Sequence, residues 1–298
     1  MQPTLRLQQI TDECIAGEDP GPAMSVDALV EASTVLDATV PAQPGEQPDV
    51  EGLLLVASLH LIRSKALDNH PDQRHEQHAY MALYGLVHLL QPDAVPPQLR
   101  PTIAQAIEML PPADLPTAIL RAMEGHSAAV YAAWQRALQQ PQFDVRLADV
   151  ALRSRQRRLD VAGPAIAGYP ARLLDLAALY WLQSDIPDRP TYLDQTIEVA
   201  EQALARDDVR ADRALSRRAH LLLGPAFQRR AEQQHRPEDL AAAIASRQAA
   251  VDLTDPTDPI LPARLERLAE AQQLRIAGDR APTPRRFARW RPKRSAGS

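Results

Sequence analysis

A stretch of this chain repeats itself. Leu176, Ala177, Tyr180, Pro190, Leu193, Ile197, Ala203 and Leu204 return 47 positions later, without a gap, as Leu223, Gly224, Phe227, Pro237, Leu240, Ile244, Ala250 and Val251. A third copy opens at Leu268-Ala269, shifted by two residues, and stops at Gly278. A fixed period of a few tens of residues marks stacked supersecondary units, because one unit alone cannot bury its apolar face. The repeat therefore predicts an array and leaves the ligand open.

The units are expected to be helical. Aromatic residues make up only 4% of the chain, and the apolar set is mostly Ala, Leu and Val. Ala and Leu head the helix-propensity ranking, whereas sheets favour β-branched and aromatic residues. The 27 prolines fall mostly between apolar-periodic segments, where they stop and start helices. Ser25 is an N-cap residue ahead of a helical apolar pattern, and a second helix opens at Asp49 or Val50 and ends near Asp68. Another runs from Pro71 to Pro92, so the two make a helix hairpin. Leu115–Glu124 and Ser127–Gln140 read as two separate helices, and Phe143–Val161 as a third. The repeats supply one hairpin at 171–205, another at 211–254 and a closing helix at 261–277. The expected division is an N-terminal helical region, 1–168, a repeat region, 169–279, and a basic segment, 280–298, that reads as disordered.

Charge and cysteine content narrow the function. The formal net charge is −5, and Arg280 to Ser298 carries seven basic side chains and no acidic one. An acidic body argues against a nucleic-acid-binding core and leaves the basic segment as a possible contact for nucleic acid or an anionic surface. Cys14 is the single cysteine, so no disulfide framework and no multi-cysteine metal site forms within one chain. Neither a signal peptide nor a membrane-length apolar run is seen, and a cytoplasmic location is expected.

Leu223-Gly224, Phe227, Pro237-Glu238-Asp239-Leu240, Ala243-Ile244 and Ala250-Val251-Asp252-Leu253, ending at Asp255-Pro256, resemble a tetratricopeptide repeat. The likeness is to the long-loop version common in actinobacterial proteins. It implies an all-α, right-handed superhelix of antiparallel helix hairpins, a TPR-like α-solenoid. Gly224, Ala177 and Ala269 match its small residue of close helix approach, and Ala243 and Thr196 its second small residue. The period of 45 to 47 departs from the usual ~34. Pro225 inside a first helix should bend its axis.

The resemblance also implies a concave groove for a protein or peptide partner, lined by first helices. Position by position it points to Leu174, Ala178 and Trp181, then Arg218, Leu221 and Gln228, then Glu266, Glu270 and Gln273. A Trp beside an Arg fits the anchor types enriched at binding hot spots.

Other residues compete with the groove. Five of eight histidines, His60, His70, His75, His78 and His88, lie close in sequence, and His75 and His78 share a helix face. Two imidazoles are part of a zinc or copper ligand set, and the spacing supplies no third ligand. Asp207-Asp208 with Asp212 resemble the metal motif of terpene cyclases but differ in spacing, and read as solvated loop acids. Arg285 to Arg294 interleaves basic residues with Phe287 and Trp290, a pattern suited to phosphates or an acidic partner. The chain carries no dinucleotide fingerprint, phosphate-binding loop or nucleophile elbow. The leading expectation is a non-catalytic, cofactor-free binding scaffold. The alternative is a helical enzyme or small-ligand-binding protein with a pocket between the N-terminal helices and the repeats, built from His75, His78, Tyr80, Tyr84 and Trp134. A third is a regulatory module acting through the basic segment.

Overall fold

Side-chain caps set where several helices begin. In the computed structural model of the protein, Ser25 accepts the Ala28 amide, and Asp49 accepts those of Glu51 and Gly52. Asp114 and Asp144 accept the amides of Thr117 and Arg146. Each cap satisfies amides that a first helical turn leaves unpaired, worth about 1 kcal/mol. The structure describes residues 3–41, 46–110, 113–140, 144–164, 168–186, 191–234 and 236–280.

Every regular element among them is helical. In order these are α1 (Pro3–Gly17), α2 (Gly21–Met24), α3 (Val26–Thr39), α4 (Val50–Ala66), α5 (Gln73–Leu90), α6 (Arg100–Met109) and α7 (Leu115–Ala137). Then follow α8 (Val145–Ala162), α9 (Tyr169–Gln183), α10 (Thr191–Leu204), α11 (Asp207–Ala211), α12 (Arg213–Gln234), α13 (Pro237–Asp252) and α14 (Leu261–Arg280). A 3-10 turn spans Pro92–Ala94. No helix among the described residues is long and apolar enough to cross a membrane. The basic segment from 281 onward, with Phe287 and Trp290, lies outside the described residues. The helices gather into two compact units, which divide between Arg172 and Leu173.

In the first unit α4 packs on α5, α5 on α7, and α7 on α8, while α3 lies against α4 and α8. Leu53, Val56 and Leu59 of α4 meet Leu83, Tyr84 and Val87 of α5 and Met123 of α7 in one core. One expectation needs correction here. The two helices expected at 115–124 and 127–140 are one, α7, which runs through Gly125. A Cβ on Gly125 would stand 2.9 Å from Ala79 Cα and 3.2 Å from the His78 carbonyl oxygen. Glycine costs a helix about 1 kcal/mol relative to alanine. Here it lets α7 lie directly on the backbone of α5, which no side chain allows.

In the second unit neighbours in sequence are neighbours in space: α10 packs on α12, α12 on α13, and α13 on α14. Ala177, Ile197, Ala200, Leu223, Phe227 and Ala243 share an apolar cluster, so repeated identities fill the seam between helices. Arg230 of α12 grips Asp239 of α13 with two bonds, of 2.8 and 2.7 Å, and reaches Asp194 of α10 at 2.8 Å. Asp239 is 4% exposed, and its bidentate pairing with a guanidinium is the strong form of an ion pair. The acids expected in an open loop are placed otherwise. Asp207 and Asp208 open the short α11 and pair with Arg210 and Arg206, and Asp212 accepts the first amides of α12. Helix α12 continues through Pro225.

Candidate functional site

Side chains of α9, α12, α13 and α14 line an open cleft of about 720 Å³ in the second unit. On α12 the lining positions Leu221, Pro225, Gln228 and Glu232 recur at helical spacing, so one stripe of that helix forms a wall. Trp181 of α9 lies at one side and Arg264 and Arg267 of α14 at the other. Arg247 comes from α13, behind α12. It enters beside Gly224, where an added Cβ would stand 2.9 Å from Arg247 Cγ.

The lining is basic: Arg229, Arg247, Arg264 and Arg267 face one carboxylate, Glu232. Arg229 stacks 4.4 Å from the Trp181 ring centre and pairs with Asp185 at 2.5 Å. Arg267 pairs with Glu270 at 3.0 Å. Arg264 donates to the Thr254 hydroxyl, and Arg247 Nη2 donates to Gln228 Oε1 at 2.7 Å. Arg247 Nε and His220 Nδ1, both buried and both on the lining residues, have no hydrogen-bond partner. Burial, with the Arg267 charge, pulls the Arg247 pKa down, and burial pulls the His220 pKa down. Arg247 has no counter-charge among its hydrogen-bond partners, so an anion beside it would offset the cost of its burial. It would return to Arg247 the solvation that packing has removed.

Of the residues expected to line a groove, Trp181, Leu221 and Gln228 line this cleft. The others do not. Leu174 is wholly buried in the core, and Arg218 is tied to Asp175 at 2.5 Å. Glu266 and Glu270 are exposed and outside the lining. His220, Arg229, Arg247, Arg264 and Arg267 were not among the expected residues. The available signal was the register of α12, since Arg229 follows Gln228, and the glycine at 224, whose missing side chain leaves room for Arg247.

The histidines resolve differently from their sequence grouping. His75 and His78 are exposed on α5, whereas Glu76 between them is 2% exposed and faces inward. There it accepts from His60 Nδ1 at 2.5 Å and from Arg63 Nε at 2.7 Å. His60 Nε2 lies 2.9 Å from His126 Nδ1, and His126 Nε2 lies 2.8 Å from Ser33 Oγ. All five residues are at most 4% exposed. Burial pushes the Glu76 carboxyl up, but Arg63 and His60 more than reverse this and hold it at about 2. Burial, reinforced by His60, holds His126 well below the usual histidine range. An ionised Glu76 only accepts, so His60 Nδ1 carries a proton. The directions of the His60–His126 and His126–Ser33 bonds follow the protonation of the two rings. Ser33 lies beneath the surface, so the row is a structural network closed to substrate. Among the described residues no group of three or more His, Cys, Asp or Glu is placed to hold a metal ion.

The chain is thus an all-α protein of two compact units, the second bearing an arginine-lined cleft. No protein-family model, curated protein or solved structure matches it.

Proposed function

We propose that this protein is a non-catalytic binding scaffold whose cleft holds an acidic peptide segment of a partner protein. In this reading α9 to α14 stack as a tetratricopeptide-like right-handed superhelix, and the cleft is part of its concave side. The observation that carries the ligand class is the state of Arg247 and Arg264. Both line the cleft, both are bonded to neutral oxygens, and Arg247 keeps a buried N–H without a partner. A guanidinium binds carboxylates bidentately, and in a half-buried site it gains more from that than at the surface. Trp181 and the partly exposed Leu221 and Ile260 add apolar contact beside the charges. The basic segment after Arg280 has the same sign of charge as the cleft and is not its ligand. The pre-formed lining keeps the ordering cost on the peptide side.

Selection of peptides from a random library on the full-length protein tests the idea. Enrichment of Asp and Glu next to apolar residues is expected. The double variant Arg247→Gln, Arg264→Gln should bind the selected peptide at least about tenfold more weakly, which is 1.4 kcal/mol. Its melting temperature should stay within a few degrees of wild type. Selection of basic or uncharged peptides, or undiminished binding by the double variant, would overturn the assignment.

Gly224→Ala probes the same site from behind. The new Cβ displaces the Arg247 stem, so fluorescence anisotropy with the selected peptide should report an affinity reduced several-fold. Helical content by circular dichroism should be retained, because alanine favours the helix that glycine weakens. Unchanged affinity would show that Arg247 does not reach the peptide.

A further inference from the structure

The arginine-lined cleft carries little net charge once its own ion pairs are counted. Arg229 is paired with Asp185, and Arg267 with Glu270. Arg247 donates to the Gln228 side-chain oxygen and Arg264 to the Thr254 hydroxyl. Among the described residues neither of these two is ion-paired with a carboxylate. They share the lining with one acid, Glu232, so the cleft holds a surplus of a single positive charge.

Glu232 is tied to Arg247 by the side chain between them. Arg247 Nη2 donates to Gln228 Oε1 at 2.7 Å, and Gln228 Nε2 donates to Glu232 Oε1 at 3.0 Å. Gln228 and Glu232 are one turn apart on α12, so the helix itself sets the second bond. The two bonds fix which way the amide points, because a guanidinium only donates and a carboxylate only accepts. The Gln228 oxygen occupies on Arg247 the kind of position that an oxygen of a bound acid would take. Glu232 stands one amide beyond it. A ligand acid on Arg247 therefore lies close to a fixed negative charge, and the amide that joins the two residues is neutral.

We infer that the cleft prefers the carboxylates of Asp and Glu to phosphorylated side chains, and that Glu232 sets this preference. The inference rests on the acidic-peptide reading above and narrows it. Guanidinium geometry does not decide the matter, since arginine pairs bidentately with carboxylates and phosphates alike. Charge decides it. A carboxylate brings one negative charge and matches the surplus. A phosphorylated serine brings about −1.5 to −2 at pH 7, and the excess meets Glu232 instead of a cation. Glu232 is exposed, so water and salt weaken the repulsion, and a discrimination of about fivefold is expected rather than an absolute barrier.

Three rhodamine-labelled peptides of one sequence test the preference, each with a single acid between two leucines: glutamate, phosphoserine or sulfoserine. Sulfoserine has the tetrahedral shape of phosphoserine but only one charge. Fluorescence anisotropy with the full chain at pH 7.5 should show the glutamate peptide bound about fivefold more tightly than the phosphoserine peptide, with sulfoserine close to glutamate. Glu232→Gln should strengthen binding of the phosphoserine peptide more than that of the other two and bring the ratio to about one. Equal or tighter binding of the phosphoserine peptide by the wild-type protein overturns the preference. So does sulfoserine binding as weak as phosphoserine, which would assign the difference to shape. An unchanged ratio in Glu232→Gln with native circular dichroism removes Glu232 from the role. In all three cases the glutamate peptide still binds, and the acidic-peptide reading stands; binding of no peptide at all overturns that reading as well.

Discussion

Replacing Glu76 with Gln is expected to destabilise the first unit by about 3–5 kcal/mol, the range for a buried ion pair that loses one partner. The amide keeps the shape and one acceptor but removes the charge that offsets Arg63, which is 0% exposed and has no route to water. The pKa of Glu76 gives an independent figure. A fall from 4.5 to about 2 is, at 1.36 kcal/mol per unit, about 3 kcal/mol of preference for the ionised form in the folded state. Hydrogen exchange of α4 and α5 amides in the full chain should show the loss. A change below about 1 kcal/mol would mean that Arg63 finds another counter-charge.

The same network sets the response to acid. A carboxyl with a depressed pKa stabilises the fold fully above its unfolded value and loses that contribution as pH falls through the folded value. For Glu76 the window runs from 4.5 down to about 2. His126 acts earlier. Its folded pKa lies well below 6.5, so below that pH the unfolded chain binds the proton that the folded chain refuses. Stability should therefore begin to fall below pH 6.5 and fall again below pH 4.5. In His126→Gln the first decline should shrink and the second remain; an unchanged first decline would assign it to other groups.

Gly125→Val is the second large effect. The added Cβ lands 2.9 Å from Ala79 Cα, and that atom is backbone, so relief requires α5 and α7 to separate. Overpacking costs about 1–3 kcal/mol where side chains can adjust, and this site has none to move. A loss of about 3 kcal/mol or more is expected, measured as a fall in the melting temperature. Ala79 and Glu76 are on one face of α5, and His126 follows Gly125, so the separation also draws His126 away from His60. Wild-type stability in Gly125→Val would refute the close approach.

What the sequence made legible was local. Ser25 and Asp49 cap their own helices, and their helix starts were read correctly. The all-α class followed from composition and from apolar spacing. The helices expected at 115–124 and 127–140 are one, and the use of Gly125 between them depends on Ala79, forty-six positions away in the chain. Glu76 lies between His75 and His78 in the chain, but its partners His60 and Arg63 lie on another helix and no spacing rule joins them. The cleft was half legible. Trp181, Leu221 and Gln228 were pointed to by the resemblance to tetratricopeptide repeats; Arg247 comes from a second helix and is admitted by an absent side chain. Leu174 shows the converse, a position that the resemblance placed in a groove and whose side chain is buried in the core.

The row from Ser33 to Glu76 also constrains how this protein can evolve. Each member is hydrogen-bonded to the next, so one replacement strands its neighbour. Buried ionic groups exchanged together for apolar residues of similar volume are often neutral or stabilising, while removal of one partner is costly. Whether a second substitution harms or helps therefore depends on the first. Ser33, His60, Arg63, Glu76 and His126 form one epistatic block, separated from an apolar core by a valley of unstable intermediates.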